Sequence, residues 1–142
     1  MEKNKNSGFS LIELIIVIAI MAVLVALIAP NMTKYLSKSK RNTDLHNAGE
    51  LADMIQVCIN DYEVEHGEFI KTGGGNVTLS WSGKNVSGGP ASFNDMLDGM
   101  VTKDPTSEET GTVATASIAL KGSSSRDGYK VTVTIGNANV VK

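Results

Sequence analysis

Residues 8–30 read GFSLIELIIVIAIMAVLVALIAP, a stretch too apolar to remain in water, and the rest of the chain is arranged around how it is hidden. Residues 14–29 are an unbroken apolar run, and with residues 9–13 the segment reaches 21 residues. As a helix that is about 31 Å at roughly 1.5 Å per residue, one bilayer crossing. Glu13 breaks the pattern. An ionisable side chain just inside an apolar segment costs about 2.5–3.5 kcal/mol to bury in lipid, so Glu13 calls for a partner.

The flanking residues narrow the reading. Lys3 and Lys5 precede Gly8, Phe9, Ser10, Leu11, Ile12, Glu13 and Leu14, and Pro30 closes the apolar run. A short basic leader, Gly before Phe and an acid four residues beyond Phe resemble the cleavage and methylation signal of type IV prepilins. The likeness is close over the first third of the chain and extends to the remainder in layout. It implies that a prepilin peptidase cuts after Gly8 on the cytoplasmic side and methylates the new amine of Phe9. It also implies that the Glu13 carboxylate meets the amine of a neighbouring subunit during filament assembly and so sets the register. Residues four apart share a helix face, so the same pair can also be satisfied within one chain. An unpaired buried charge is costly enough to make such docking selective. The competing reading is a plain signal anchor with Glu13 at headgroup depth.

Composition bounds what remains. A chain of 142 residues with a formal charge of −2 fits one small domain plus a membrane segment and gives no strong nonspecific pull on nucleic acid. A single cysteine forbids an internal disulfide. Many type IV pilins close a C-terminal loop with such a bridge, and this chain departs from that pattern. Cys58 is expected to fill core space.

Residues 1–7 are short and polar, a leader without the apolar centre of a secretory signal. Lys34, Lys38, Lys40 and Arg41 after the apolar run outnumber Lys3 and Lys5 before it, so charge counting alone inverts the topology. The resemblance implies the opposite, a cytoplasmic N-terminus. Pro30 lacks an amide donor and is expected to kink the helix. Beyond it, Leu45, Ala48, Leu51, Ile55, Cys58, Ile59 and Tyr62 recur at spacings of three and four, so an amphipathic helix is expected to continue to about residue 65. Between the two halves, residues 37–44 read SKSKRNTD, wholly polar and expected to be solvated. Gly67 is the expected terminator. The basic cluster suits lipid phosphates or neighbouring-subunit contacts better than DNA, because only Tyr35 interleaves with it.

After Gly67 the period changes to alternation. Residues 76–82 and 129–135 read as half-buried strands, 112–121 as a third, and 137–142 as a fourth or an edge. The GSSSRDG segment, 122–128, joins two of them as a hairpin. Residues 92–99 read as a short helix with Ser92 and Asp95 as a capping box and Phe93, Met96, Leu97 and Met100 on one face.

Chemistry is sparse. His46 and His66 have no nucleophile at matching spacing, Gly73 to Gly75 lack the Lys of a phosphate loop, and Asn76 and Asn85 begin formal glycosylation triplets only. Asp98, Asp104, Glu108 and Glu109 fall together where major pseudopilins carry calcium, but not at EF-hand spacing, so solvated acids are expected. No catalytic residue, cofactor or metal is assigned.

The expected fold is α+β: a long N-terminal helix, half transmembrane and half amphipathic, packed on a small antiparallel sheet. The parts are a leader (1–8), a transmembrane or filament-core half-helix (9–30), an amphipathic half-helix (31–66) and an extracellular β-rich domain (67–142). The resemblance implies a structural, non-enzymatic subunit of a type IV pilus serving adhesion, motility or aggregation. It would sit in the inner or cytoplasmic membrane as a single-pass prepilin and then in an extracellular pilus on the bacterial cell surface. The implied partners are further copies of itself, prepilin peptidase, the pilus assembly platform and its ATPase, and membrane lipid, with nucleic acid not a main ligand. The alternatives are a pseudopilin of a type II secretion or DNA-uptake machine, and a signal-anchored adhesin or DNA-binding minor pilin.

Overall fold

The computed structural model describes residues 9–71 and 73–142, so the expected leader, with Gly8 at its end, lies outside the described residues. The chain divides into two compact units, Met1–Ser37 and Lys38–Lys142. One helix, α1 (Leu11–His66), contributes to both.

α1 opens on Ser10, whose carbonyl accepts from the Leu14 N–H at 3.3 Å. It continues through Pro30, where the Thr33 hydroxyl donates to the Pro30 carbonyl at 3.0 Å. It stops at Gly67, as the sequence suggested. Gly67 takes φ 86° and its N–H closes the last turn on the Glu63 carbonyl at 3.0 Å, a conformation that costs a side-chain-bearing residue more than glycine.

In the unit Lys38–Lys142 the sheet contains β1 (Val77–Ser82), β2 (Asn85–Ser87), β3 (Thr115–Leu120), β4 (Tyr129–Ile135) and β5 (Ala138–Val141). Their order is β2-β1-β3-β4-β5, with every pairing antiparallel. Register follows the alternation: Leu79 opposes Ala116, Ala116 opposes Val133 and Ile118 opposes Val131, all on the buried face. That face meets the stripe of Ala48, Leu51, Ala52, Ile55, Cys58 and Ile59 on α1, and α2 (Ala91–Met100) adds Phe93 and Leu97 to the same core. Each fully buried Ile, Leu or Phe contributes about 1.5–3 kcal/mol, so helix and sheet supply each other's hydrophobic layer.

The four expected strands and the short helix all exist, β4 with the expected ends and the others with shifted ones. Three expectations are corrected. The polar run 37–44 is not solvated throughout, because Asp44 is completely buried. Leu45, placed on the apolar stripe, is exposed, and the stripe starts at Ala48. Ser92 and Asp95 do not cap α2: the helix begins at Ala91 after Pro90, with no side-chain cap, and the Asn94 amide steadies the turn by donating to the Gly89 carbonyl at 3.1 Å. β2 is an addition, paired with β1 across a turn at Gly83.

Candidate functional site

The first unit places Phe9 just before α1 and Glu13 in its first turn. Every residue from 9 to 43 is exposed in the single chain, and α1 is long and apolar enough to cross a membrane. Phe9 is 85% exposed, so it is as uncovered as the aliphatic residues that follow it.

Glu13 is not left bare. Its Oε2 accepts from the Ser10 N–H at 2.9 Å, which makes Ser10 the N-cap residue and Glu13 the third helical residue reaching back to it. That is the carboxylate half of a capping box: it satisfies one of the four unpaired N–H groups at a helix start and sets negative charge where the helix dipole favours it. The spacing Ser-x-x-Glu was present in the sequence at 10–13, next to the apolar run, where such a box has most effect.

In the second unit, acids on α1 fasten the domain to the helix. Asp44 is the buried one: Ser107 Oγ donates to Oδ2 at 2.6 Å, the Glu108 N–H to Oδ1 at 2.7 Å and the Glu109 N–H to Oδ2 at 3.3 Å. Burial pushes its pKa up. The Ser107 hydroxyl, the two backbone N–H groups and the nearby Lys40 charge outweigh that and hold the carboxyl below its ordinary value. Ser107 is the hub, since its Oγ also accepts from the Thr110 N–H at 2.9 Å. Near the other end of the helix, Glu63 accepts from the Tyr129 hydroxyl and from the Phe69 N–H at 3.1 Å. Burial and then the Glu63 carboxylate push the Tyr129 hydroxyl up to about 12, so it stays a donor.

The remaining candidates are in local contacts. His46 lies 3.3 Å from Glu50 one turn on, and His66 stacks on Tyr62 at 4.5 Å between ring centroids. Cys58 is buried with its Sγ 3.2 Å from Met100 Sδ, and burial, then the Asp61 charge, raise its thiol to about 11. The four acids read as one loop group are not together in that way. Asp98 belongs to α2 and accepts from the Val86 N–H at 2.6 Å, while Glu108 and Glu109 use their backbone, not their carboxylates, at Asp44. Among the described residues no three of His, Cys, Asp and Glu converge as metal ligands. The Asp44 clasp carried no sequence signal, because its partners are 63 to 65 residues away.

Comparison with known proteins bears on the same segment. The prokaryotic N-terminal methylation motif matches residues 3–29. The chain is 31% identical over 96 residues to the type IV major fimbrial protein FimA of Dichelobacter nodosus, covering 66% of this chain and 54% of that protein. It thus spans about half the length of that relative. It is 29% identical over 98 residues to prepilin peptidase-dependent protein A of Clostridium perfringens, covering 68% of this chain and 70% of the relative. A probable minor fimbrial protein of Dichelobacter nodosus is 31% identical over 117 residues, 79% of this chain and 71% of its own length. No solved structure matches the chain significantly. A methylation motif at residues 3–29, together with 31% identity to a fimbrial protein over most of both chains and an α+β fold built on one long helix, means that the chain belongs to the type IV pilin family.

Proposed function

We propose that the chain is a structural, non-enzymatic subunit of a type IV pilus filament, held in the membrane as a prepilin and polymerised through the apolar part of α1. The observation that carries this reading is the uncovered surface of residues 9–36 directly behind the cleavage motif. A helix apolar on all sides is stable only in lipid or among other such helices. Assembly therefore exchanges one dry environment for another.

In this reading prepilin peptidase removes residues 1–8 at the Gly8–Phe9 bond and methylates the Phe9 amine. Residues 9–30 are both membrane anchor and filament core, 31–66 carry the domain, and 67–142 face outward from the filament. Pro30 marks where the helix loosens on packing. The processed amine of one subunit meets Glu13 of another, and the carboxylate leaves its bond to the Ser10 N–H to do so. The chain passes from the inner membrane to the cell surface with the help of an assembly platform and its ATPase. There the filament serves adhesion, motility or aggregation through protein surface, not through nucleic-acid binding.

The test is electron microscopy of cells lacking the chain and of the same cells complemented with wild type or Glu13→Ala. Wild type is expected to restore surface filaments. Glu13→Ala is expected to leave processed chain in the membrane with filaments reduced at least about tenfold, since an unpaired terminal charge then remains in an apolar core. Filaments unchanged by loss of the chain would refute the reading, and processed chain confined to the membrane in wild type would move it to a pseudopilin.

A further inference from the structure

α1 carries a charge segregation that the ion pairs among the described residues neutralise only in part. Residues 34–41 contain four cations and no acid, whereas residues 42–66 contain six acids and no Lys or Arg. Three of the acids have partners: Asp44 holds Ser107, Glu63 holds Tyr129, and Asp53 pairs with Lys142. Glu50 faces His46. That leaves Asp61 and Glu65, both exposed and with no ion pair among the described residues. They are four residues apart, in the last turns of a helix whose dipole disfavours negative charge there. Lys34 and Lys38 are also exposed, unpaired among the described residues and four apart. Each pair is repulsive in the single chain, and each would be relieved by the other.

The spacing lets both contacts form together. Lys34 to Asp61 and Lys38 to Glu65 are the same 27-residue offset. We infer that Lys34 and Lys38 of one copy dock against Asp61 and Glu65 of a second copy lying parallel and displaced along α1 by that offset. This rests on the proposed filament role, because subunits that share a membrane orientation meet in parallel. An antiparallel pair would satisfy both clusters at once and close as a dimer. The parallel, displaced pair leaves one cation pair and one acid pair open at its ends, the condition for a head-to-tail interface that continues without closing. The cations thus select the position along the helix of a more distant neighbour than the one whose amine meets Glu13, because offsets of 4 and 27 residues belong to different pairs, and their attraction falls with salt.

The test uses the full chain in filament-forming cells, with filaments measured in the sheared surface fraction and processed chain in the membrane. Three variants are compared with wild type: Lys34→Glu with Lys38→Glu, Asp61→Lys with Glu65→Lys, and all four together. Each pair reversal is expected to lower sheared filament at least about tenfold with the membrane pool intact, and the fourfold swap to return it to within about threefold of wild type. A fourfold variant no better than either pair reversal would overturn the inference. So would wild-type filament yield from the acid reversal, which would leave the cations to lipid headgroups. Absence of filaments in wild type would instead refute the filament role itself.

Discussion

At the scale of single residues, the informative side chain is Asp44, a buried carboxylate with no cation bonded to it among the described residues. Three donors from one loop replace its water, and hydrogen bonds to a charged group contribute about 1.5–3 kcal/mol each before desolvation is subtracted. Asp44→Asn keeps the shape but turns an NH2 group toward a donor, so a loss of about 1–3 kcal/mol is expected, read as a lower midpoint in urea. The pH dependence has a definite sign. The folded pKa lies below the ordinary 3.8, so the contribution is complete above that value and is lost as pH falls through the folded pKa. Wild type should therefore lose stability below about pH 4 more steeply than Asp44→Asn. Cys58 provides a second check. With its thiol raised to about 11 and fully buried, it should resist a thiol reagent at pH 8 in the folded protein and react once denaturant is added.

At the scale of elements, what the sequence made legible is what has a period. The 3.6-residue stripe of α1 and the alternation of β1 and β4 are long enough to announce themselves, and Gly67 ends α1 where expected. β2 has three residues, too few for alternation to show, and it exists because Val86 pairs with Trp81 and donates its N–H to the Asp98 carboxylate. Its exit turn is a sensitive point. Gly88 has φ 107°, and a Cβ there would lie 2.0 Å from the Thr78 carbonyl oxygen. Gly88→Ala should cost about 1–3 kcal/mol or more and speed amide exchange in β1 and β2 first. The capping boxes show the limit of pattern reading. Ser-x-x-Asp at 92–95 fits the motif and does not cap, while Ser-x-x-Glu at 10–13 does, because only there does the helix begin at the right residue.

At the scale of the whole molecule, the site was legible where it is local and hidden where it is not. The apolar segment, Phe9 and Glu13 are contiguous, so their chemistry can be read in order. The clasps that join α1 to the domain connect residues more than 60 positions apart, and only the fold brings them together. Because the core lies within Lys38–Lys142, a chain starting at Lys38 should be folded, cooperative in unfolding and soluble without detergent, as judged by circular dichroism and sedimentation. The full chain should partition into membranes or detergent, since residues 9–36 are all exposed and most of them are apolar.

The central claim is that this apolar helix is released from a leader and then built into a surface filament. Intact mass and N-terminal fragmentation of the protein, compared between the sheared surface fraction and the membrane fraction, test it most directly. The account predicts a surface species that begins at Phe9 with a methyl group on its amine. A surface or membrane species that still begins at Met1, with no processed form in either fraction, would contradict it.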